Sequence, residues 1–403
     1  MREWAPSYCC GKVTALTLAL FLFLGCNKPA HEVVLLQQQR PLTDAEYERA
    51  TAAWVQGKKA DEERATYMKS NGLDEATFLP GQGWKDVVNP SNPFRVFLAN
   101  KFSREKVDQL RFHTDVFTGW DLYNFDYPGK HPPAPEVVSA AEYDARHRGA
   151  PPDISVAAFK KIRARIPNKY LVKMPRIMGE IGWNVDGYVV NRDLAAYQDT
   201  IAILYQSGVL PWLENRASSG KPVTVLEIGS GYGGFIYFFS EILPKASYWA
   251  CDLPESLIVA AMYLSVTRPG LWQGIYPECS RSCSGEGIFG LPNYRFEEFS
   301  AKGHKVDLVV NTMSLSEMSE VQIRYYARKA SELLGDDGVF FELNYDNRDV
   351  GGTNAKEFLP LYLKASVDLG QSFNRGHGHL WANDPAVLHQ IEAERRLIAY
   401  GSR

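Results

Sequence analysis

The stretch Val225 to Gly234, VLEIGSGYGG, decides the fold. The run Val223 to Ile228 is apolar, rich in β-branched residues and too short for a helix, so it reads as a buried parallel strand. Gly229, Gly231, Gly233 and Gly234 follow at once, and then FIYFFSEIL, apolar at roughly helical spacing and stopped by Pro244. Strand, glycine turn and helix open a nucleotide-binding α/β unit. The glycines permit backbone angles closed to other residues and let a ligand lie against bare main chain. The helix N-terminus beyond them presents unpaired N–H groups.

Gly229, Gly231 and Gly234 also satisfy the dinucleotide fingerprint, so the loop alone leaves two ligand classes open. Glu227 separates them. It stands two residues before the first glycine, where a dinucleotide site usually has an apolar residue. A carboxylate there suits a ligand with a positive end, such as the amino group of S-adenosylmethionine; the plainer reading is a strand-end acid solvated at the sheet edge. Asp252 ends the next predicted strand, Ser247 to Cys251. An acid at that place can accept hydrogen bonds from both ribose hydroxyls, or it can cap the helix beginning at Pro254.

Working outward, the alternation is regular. Helices are expected over Pro254 to Thr267 and Ser319 to Leu334, and strands over Tyr294 to Phe296, Val306 to Val310 and Gly338 to Leu343. Pro269 to Pro292 reads as a variable interruption. A helix near Ala355 to Val367, the polar tract RGHGH from Arg375 to His379, and a last helix from Pro385 to about Ile398 complete the chain. This pattern predicts an α/β fold, a doubly wound Rossmann-like sheet with its ligand at the strands' C-terminal ends. Upstream lies a mainly helical region. Thr43 to Met68 reads as one or two amphipathic helices, with Asp44, Glu46 and Glu48 near the first N-terminus. Ile154 to Ile166 reads as helical, Gly179 to Val190 as a turn-rich connection, and Asn191 to Ser207 as a long helix closed by Gly208 and Pro211. The many aromatic residues between Val87 and Tyr127 suit core packing or sugar stacking.

The chain has 403 residues, 45% apolar and 12% aromatic, with a net charge of -3. Those proportions supply real cores and argue against disorder, and the absence of a long basic run argues against nucleic acid as a partner. No stretch is long enough to span a bilayer as a helix. At the N-terminus, Arg2 and Lys12 precede an apolar run from Val13 to Leu24, then Gly25 and Cys26. This is the pattern of a secretory signal, and FLGC resembles a bacterial lipoprotein box with Cys26 as the lipid-bearing residue, although Phe23 replaces the usual aliphatic residue. Attachment to a membrane through the N-terminus is therefore expected. Residues 1–26 are assigned to this leader, 27–186 to the helical region, which would bind the acceptor or form a lid, and 187–403 to the α/β domain. Cys9 and Cys10 fall in the leader, Cys251 reads as a small buried residue, and Cys279 and Cys283 either pair or lie in a surface loop.

The glycine strand, Asp252 and the later strands together look like a class I S-adenosylmethionine-dependent methyltransferase. More specifically, VNRDLAAYQDTIAILYQSGVL, VLEIGSGYGG, CDLPESLIVAAMYL, VVNTMSLSEMS and FFELNYD resemble the sugar O-methyltransferase family, in order and spacing, over roughly Gly187 to Asp346. The resemblance implies S-adenosylmethionine as cofactor and a sugar or glycan hydroxyl as acceptor. It implies that the loop Gly229, Ser230, Gly231, Tyr232 and Gly233 lines the cofactor with Glu227, that Asp252 holds the ribose and that Leu253 packs on the adenine. Asn311, Thr312 and Ser314 offer short polar side chains for the methionine part or the acceptor hydroxyl; Met313 and Met318 read as packing residues.

Methyl transfer from a sulfonium to a hydroxyl is an in-line displacement, in which the protein aligns the reactants and takes the hydroxyl proton. Candidate bases are His379, Asp346, Glu317 and His377, with His379 and Asp346 preferred; Glu317 serves equally well to stabilise the start of the following helix. Asp346 with Asp307 or Glu342 is an alternative divalent-ion set, but Asp307 begins a strand far from the site, so no metal is expected. Two other readings stand beside this one: a nicotinamide-dependent oxidoreductase, disfavoured by Glu227 and NTMSLSEM, and a lipid-anchored binding protein that kept the fold without catalysis. Cytoplasm supplies S-adenosylmethionine, which favours a cytoplasmic or inward-facing location, whereas the leader argues for export.

Overall fold

The structure, a computed structural model, describes residues 35–36, 40–81, 84, 103–113, 154–180, 182–350, 352–373 and 376–401. The leader with Cys26, and most of the aromatic stretch Val87 to Tyr127, lie outside the described residues. Among the described residues no helix is long and apolar enough to cross a membrane.

Two sheets are present among the described residues. Three short strands, β1 (Leu35–Leu36), β2 (Gly182–Val185) and β3 (Tyr188–Val190), form an antiparallel sheet. The expected turn-rich connection Gly179 to Val190 is thus a hairpin, turning at Asp186 and Gly187, both with positive φ. The main sheet has eight strands: β4 (Thr224–Ile228), β5 (Ser247–Asp252), β6 (Trp272–Ile275), β7 (Gly287–Pro292), β8 (Leu308–Thr312), β9 (Val339–Asn344), β10 (Ala365–Gln371) and β11 (His377–Ala382). Their order is β10-β11-β9-β8-β4-β5-β7-β6. From β9 to β6 every pairing is parallel; β11 runs antiparallel between β9 and β10. The α/β architecture expected from the glycine strand is therefore present, with β4 at its centre.

Burial explains the ladder. Val225, Leu226 and Ile228 of β4 and Tyr248 to Cys251 of β5 are almost wholly inaccessible, as strands covered on both faces must be. Leu226, Ile228, Trp249, Phe289, Phe340 and Trp381 form one core with Phe296, Tyr326 and Leu333. Helix Glu320–Leu334 covers this face, started by a reciprocal capping box between Ser319 and Gln322.

The N-terminal helix is a single element, Asp44–Ser70, started by the capping box of Thr43 and Glu46. It lies along helix Pro254–Thr267 through a stripe of small residues, Ala50, Ala53, Gly57 and Ala60. Arg64 reaches across to make a two-pronged ion pair with the buried Glu255, at 2.9 Å on each side.

Several local expectations are corrected. Gly208, with φ +91°, does close helix Arg192–Gln206, but Pro211 does not: it lies in the first turn of a second helix, Val209–Ser218, where a missing N–H costs nothing. Residues 293–295 form a 3₁₀ turn, not a strand; the strand is β7, inside the stretch read as variable. The helix expected near Ala355 to Val367 is two 3₁₀ turns, the second containing Pro360, followed by edge strand β10. Cys279 and Cys283 are joined by a disulfide, and Cys251 is free and buried.

Candidate active site

The residues that follow β4, β5, β7 and β8 converge at the C-terminal edge of the sheet, where an α/β sheet leaves its ligand crevice. Gly229 N–H donates to the Cys251 carbonyl at 2.8 Å and so ties the glycine loop to the end of β5. Asp252 completes the tie, accepting from Gly231 N–H and Leu253 N–H at 2.7 Å each. A cavity of about 110 Å³ opens here, against the roughly 10–15 Å³ needed for one water. Glu227, Gly229, Ser230, Gly231, Asp252, Leu253, Thr312, Ser314 and Glu317 all line it. Gly229 has φ +79°, and a Cβ there would meet Ser314 Oγ, so the main chain and the residue after β8 meet without a side chain between them.

The electrostatics of this edge are unusual. Glu227 is 2% exposed, and its Oε2 has no hydrogen-bond partner. Burial, with the negative Asp252 beside it, pushes its carboxyl well above the ordinary range. Asp252 is pushed up to about 6 by burial, against the pull of hydrogen bonds from Gly231, Ser256 and Leu253. Buried polar atoms in native proteins are nearly always paired. An unpaired carboxylate oxygen facing a cavity is therefore a place for a cation or a strong donor to bind. Glu317 stands at the mouth. Trp84 Nε1–H donates to its Oε2 at 2.6 Å. Much of the residue's surface meets solvent, yet the protein packed around the carboxylate raises its pKa.

Other expected site residues are placed elsewhere. Tyr232 is fully buried beneath the Arg111 guanidinium, 3.6 Å above its ring, and does not line the cavity. Gly233, with φ +85°, begins helix Gly234–Ile242, and a Cβ there would strike Leu264; its glycine serves helix packing. Asn311 is buried with its polar atoms engaged: its amide donates to Ile228 O at 2.7 Å and to Ser314 Oγ at 2.5 Å, and its carbonyl accepts from Asn344 and Leu315. It shapes the turn after β8 and leaves the cavity wall to Thr312 and Ser314. Asp346 is exposed and held by Arg348, which lowers its carboxyl to about 2. His379 lies on β11 between Glu342 and Asp368. Asp346, His377 and His379 do not line the cavity, so of the four candidate bases only Glu317, which was not a preferred one, is brought to it.

Tyr197, Trp84, Ser256 and Asn293 also line the cavity, and sequence reasoning missed them. Asn293 follows β7 directly and would have been singled out had β7 been recognised; its amide donates to Phe78 O at 2.8 Å. Tyr197 and Trp84 come from distant parts of the chain and carry no local signal. Arg111, fully buried, binds Glu180 at 2.8 Å and Asp193 in close contact, and joins residues 103–113 to the glycine loop through Tyr232.

No protein-family model and no curated protein matches this sequence. Solved structures similar to it include a candidate O-methyltransferase of Nostoc punctiforme, 15% identical over 45% of this chain and 60% of that one, with a TM-score of 0.30. An O-methyltransferase family protein from Burkholderia thailandensis is 13% identical over 48% of this chain and 61% of that one, with a TM-score of 0.31. An S-adenosylmethionine-dependent methyltransferase in its apo form is 13% identical over 57% and 68%, with a TM-score of 0.30. The chain thus spans about 60% of the length of the first two.

Proposed function

We propose that the protein is an S-adenosylmethionine-dependent O-methyltransferase acting on a hydroxyl of a sugar or glycoconjugate. One observation carries the cofactor assignment: the unpaired, buried carboxylate of Glu227 faces the same cavity as Asp252 and the bare main chain of the glycine loop. A nucleoside with an ammonium at one end and a vicinal diol in its middle fits that donor and acceptor set. Glu227 would hold the ammonium, Asp252 the ribose hydroxyls, and Leu253 the adenine face. The sugar acceptor is supported by the resemblance of the segments between Gly187 and Asp346, and by a flat indole, Trp84, beside a carboxylate at the mouth.

S-adenosylmethionine supplies, when bound, an electrophilic methyl on a sulfonium. The chain's own work is alignment and proton transfer. Glu317 keeps one oxygen on Trp84 and offers the other to the acceptor hydroxyl. Glu317 would take the acceptor hydroxyl's proton as that oxygen is methylated. Because only the ionised carboxylate can take that proton, turnover rises with pH through the raised pKa of Glu317. Equilibrium titration with S-adenosylhomocysteine and, separately, with NADH tests the reading. Saturable binding of the former with transfer of labelled methyl to a glycan hydroxyl is expected; binding of NADH alone would end it.

A further inference from the structure

A second constellation lies outside the cavity, at the edge of the sheet. His377 and His379 are two residues apart on β11, so both rings stand on one face, stacked with centroids 4.8 Å apart. Asp368 of β10 is directly opposite His379 in the ladder. A break in register just after Asp368, at the positive-φ Gly370, turns its carboxylate toward both rings. Asp368 Oδ1 is 2.7 Å from His377 Nε2, and Asp368 Oδ2 is 3.8 Å from His379 Nε2. One ligand atom from each of the three residues falls within 4.8 Å of the others. A tetrahedral zinc-type ion at about 2.0–2.1 Å from nitrogen and oxygen sets its ligands ~3.3 Å apart. The observed spacings bracket that value.

An independent observation comes from the other side of His379. Its Nδ1 is buried and lies 3.3 Å from Glu342 Oε1, on the neighbouring β9, within ion-pair distance; neither atom has a hydrogen-bond partner among the described residues. Glu342 is itself fully buried and held through its second oxygen by Asn344 at 2.8 Å. A carboxylate this close behind one ring nitrogen favours the proton on that nitrogen and leaves the other as a ligand, the arrangement that orients metal-binding histidines once the hydrogen bond closes. The set is exposed on the Asp368 side and closed on the Glu342 side. It therefore offers three protein ligands and leaves positions for water.

We propose that Asp368, His377 and His379 bind a divalent first-row ion of the zinc class, with Glu342 orienting His379. The two-nitrogen, one-oxygen set favours such an ion over magnesium or calcium, which take oxygen ligands. This site is separate from the cavity and does not rest on the methyltransferase reading.

The test is calorimetric titration of the tag-free, chelator-stripped full chain with Zn²⁺, repeated with Co²⁺ while its visible absorption is followed. One ion per chain is expected, weakened at least ~10-fold in His377→Ala and His379→Ala and by about 10- to 100-fold in Glu342→Gln. Asp368→Asn changes only an exposed side chain and so guards against misfolding; it too should lose the ion, with an unchanged circular dichroism melt. Zinc binding that survives Asp368→Asn and His377→Ala at wild-type affinity would place the ion elsewhere and overturn the site. So would the absence of stoichiometric binding in the wild type.

Discussion

Two sets of buried carboxyls lie beside the glycine loop, and among the described residues only one is paired with a cation. Glu180 and Asp193 close around Arg111, which also caps the ring of Tyr232. Glu227 and Asp252, at the adjacent strand ends, face a cavity; Asp252 accepts from backbone amides, and among the described residues neither has a basic side chain in an ion pair. In the first set the fold itself neutralises the charge; in the second, neutralisation is left to protonation or to a ligand. Burial raises Asp193 to about 6 even though Arg111 pulls the other way, while Glu227 is driven well above its usual value by burial and by Asp252 together. A paired buried acid serves the architecture, and an unpaired one beside a cavity is a candidate binding site.

Breaking the paired set should have the largest effect. Arg111→Met leaves two buried acids uncompensated and is expected to destabilise the fold by about 3–5 kcal/mol, read from urea unfolding. Next is the acid at the mouth. Glu317→Gln should lower the turnover rate by roughly 10²- to 10⁴-fold while leaving the affinity for S-adenosylhomocysteine intact, a split that steady-state kinetics and calorimetry together resolve.

The unpaired set should respond in the opposite way to the paired one. Glu227→Gln is expected to be neutral or stabilising, because it removes a desolvated acid. In the wild type the unfolded chain gives up this proton at the ordinary Glu pKa and the folded chain only at a higher pH. The contribution to stability is therefore full below the unfolded value and is lost as pH rises toward the folded one; the variant should lack that slope. Its affinity for S-adenosylhomocysteine should nonetheless fall by about 1.5–3 kcal/mol, the worth of a hydrogen bond to a charged group.

Asp252→Ala should weaken the same binding by roughly 1–3 kcal/mol. Since Asp252 titrates near 6, and its ionised form is the better acceptor, wild-type affinity should decline as pH drops below that value. Asp346→Asn, at an exposed pair with Arg348, should change neither binding nor melting. A large effect there would mean that the comparison between paired and unpaired acids has been drawn at the wrong residues.

Much of this was legible in the chain. Strand β4, its glycine loop, Asp252 and helix Pro254–Thr267 declare themselves because local pattern and tertiary role agree at those positions. Strand β7 did not, because Gly287, Gly290 and Pro292 give it the composition of a loop; Gly290 packs tightly against Ile275, a requirement set by a neighbouring strand. Asn293 was missed with it. Pro360 and the turns around it feed edge strand β10, whose partly exposed residues carry a weak pattern. Tyr197 and Trp84 reach the site, and Arg111 the back of the glycine loop, from far away in sequence; His379 lies off the site because β11 stands beyond β9, two strands from β8, a topology that spacing does not encode.

Burial, with Asp252 beside it, pushes the carboxyl of Glu227 well above its ordinary range, so a cationic ligand should drive a proton off it on binding. Calorimetric titration with S-adenosylhomocysteine at neutral pH, in two buffers of different ionisation enthalpy, tests this central claim most directly. Saturable binding should be accompanied by net proton release in the wild type, and the release should vanish in Glu227→Gln. Binding without proton release, or a release unchanged in that variant, would contradict the account.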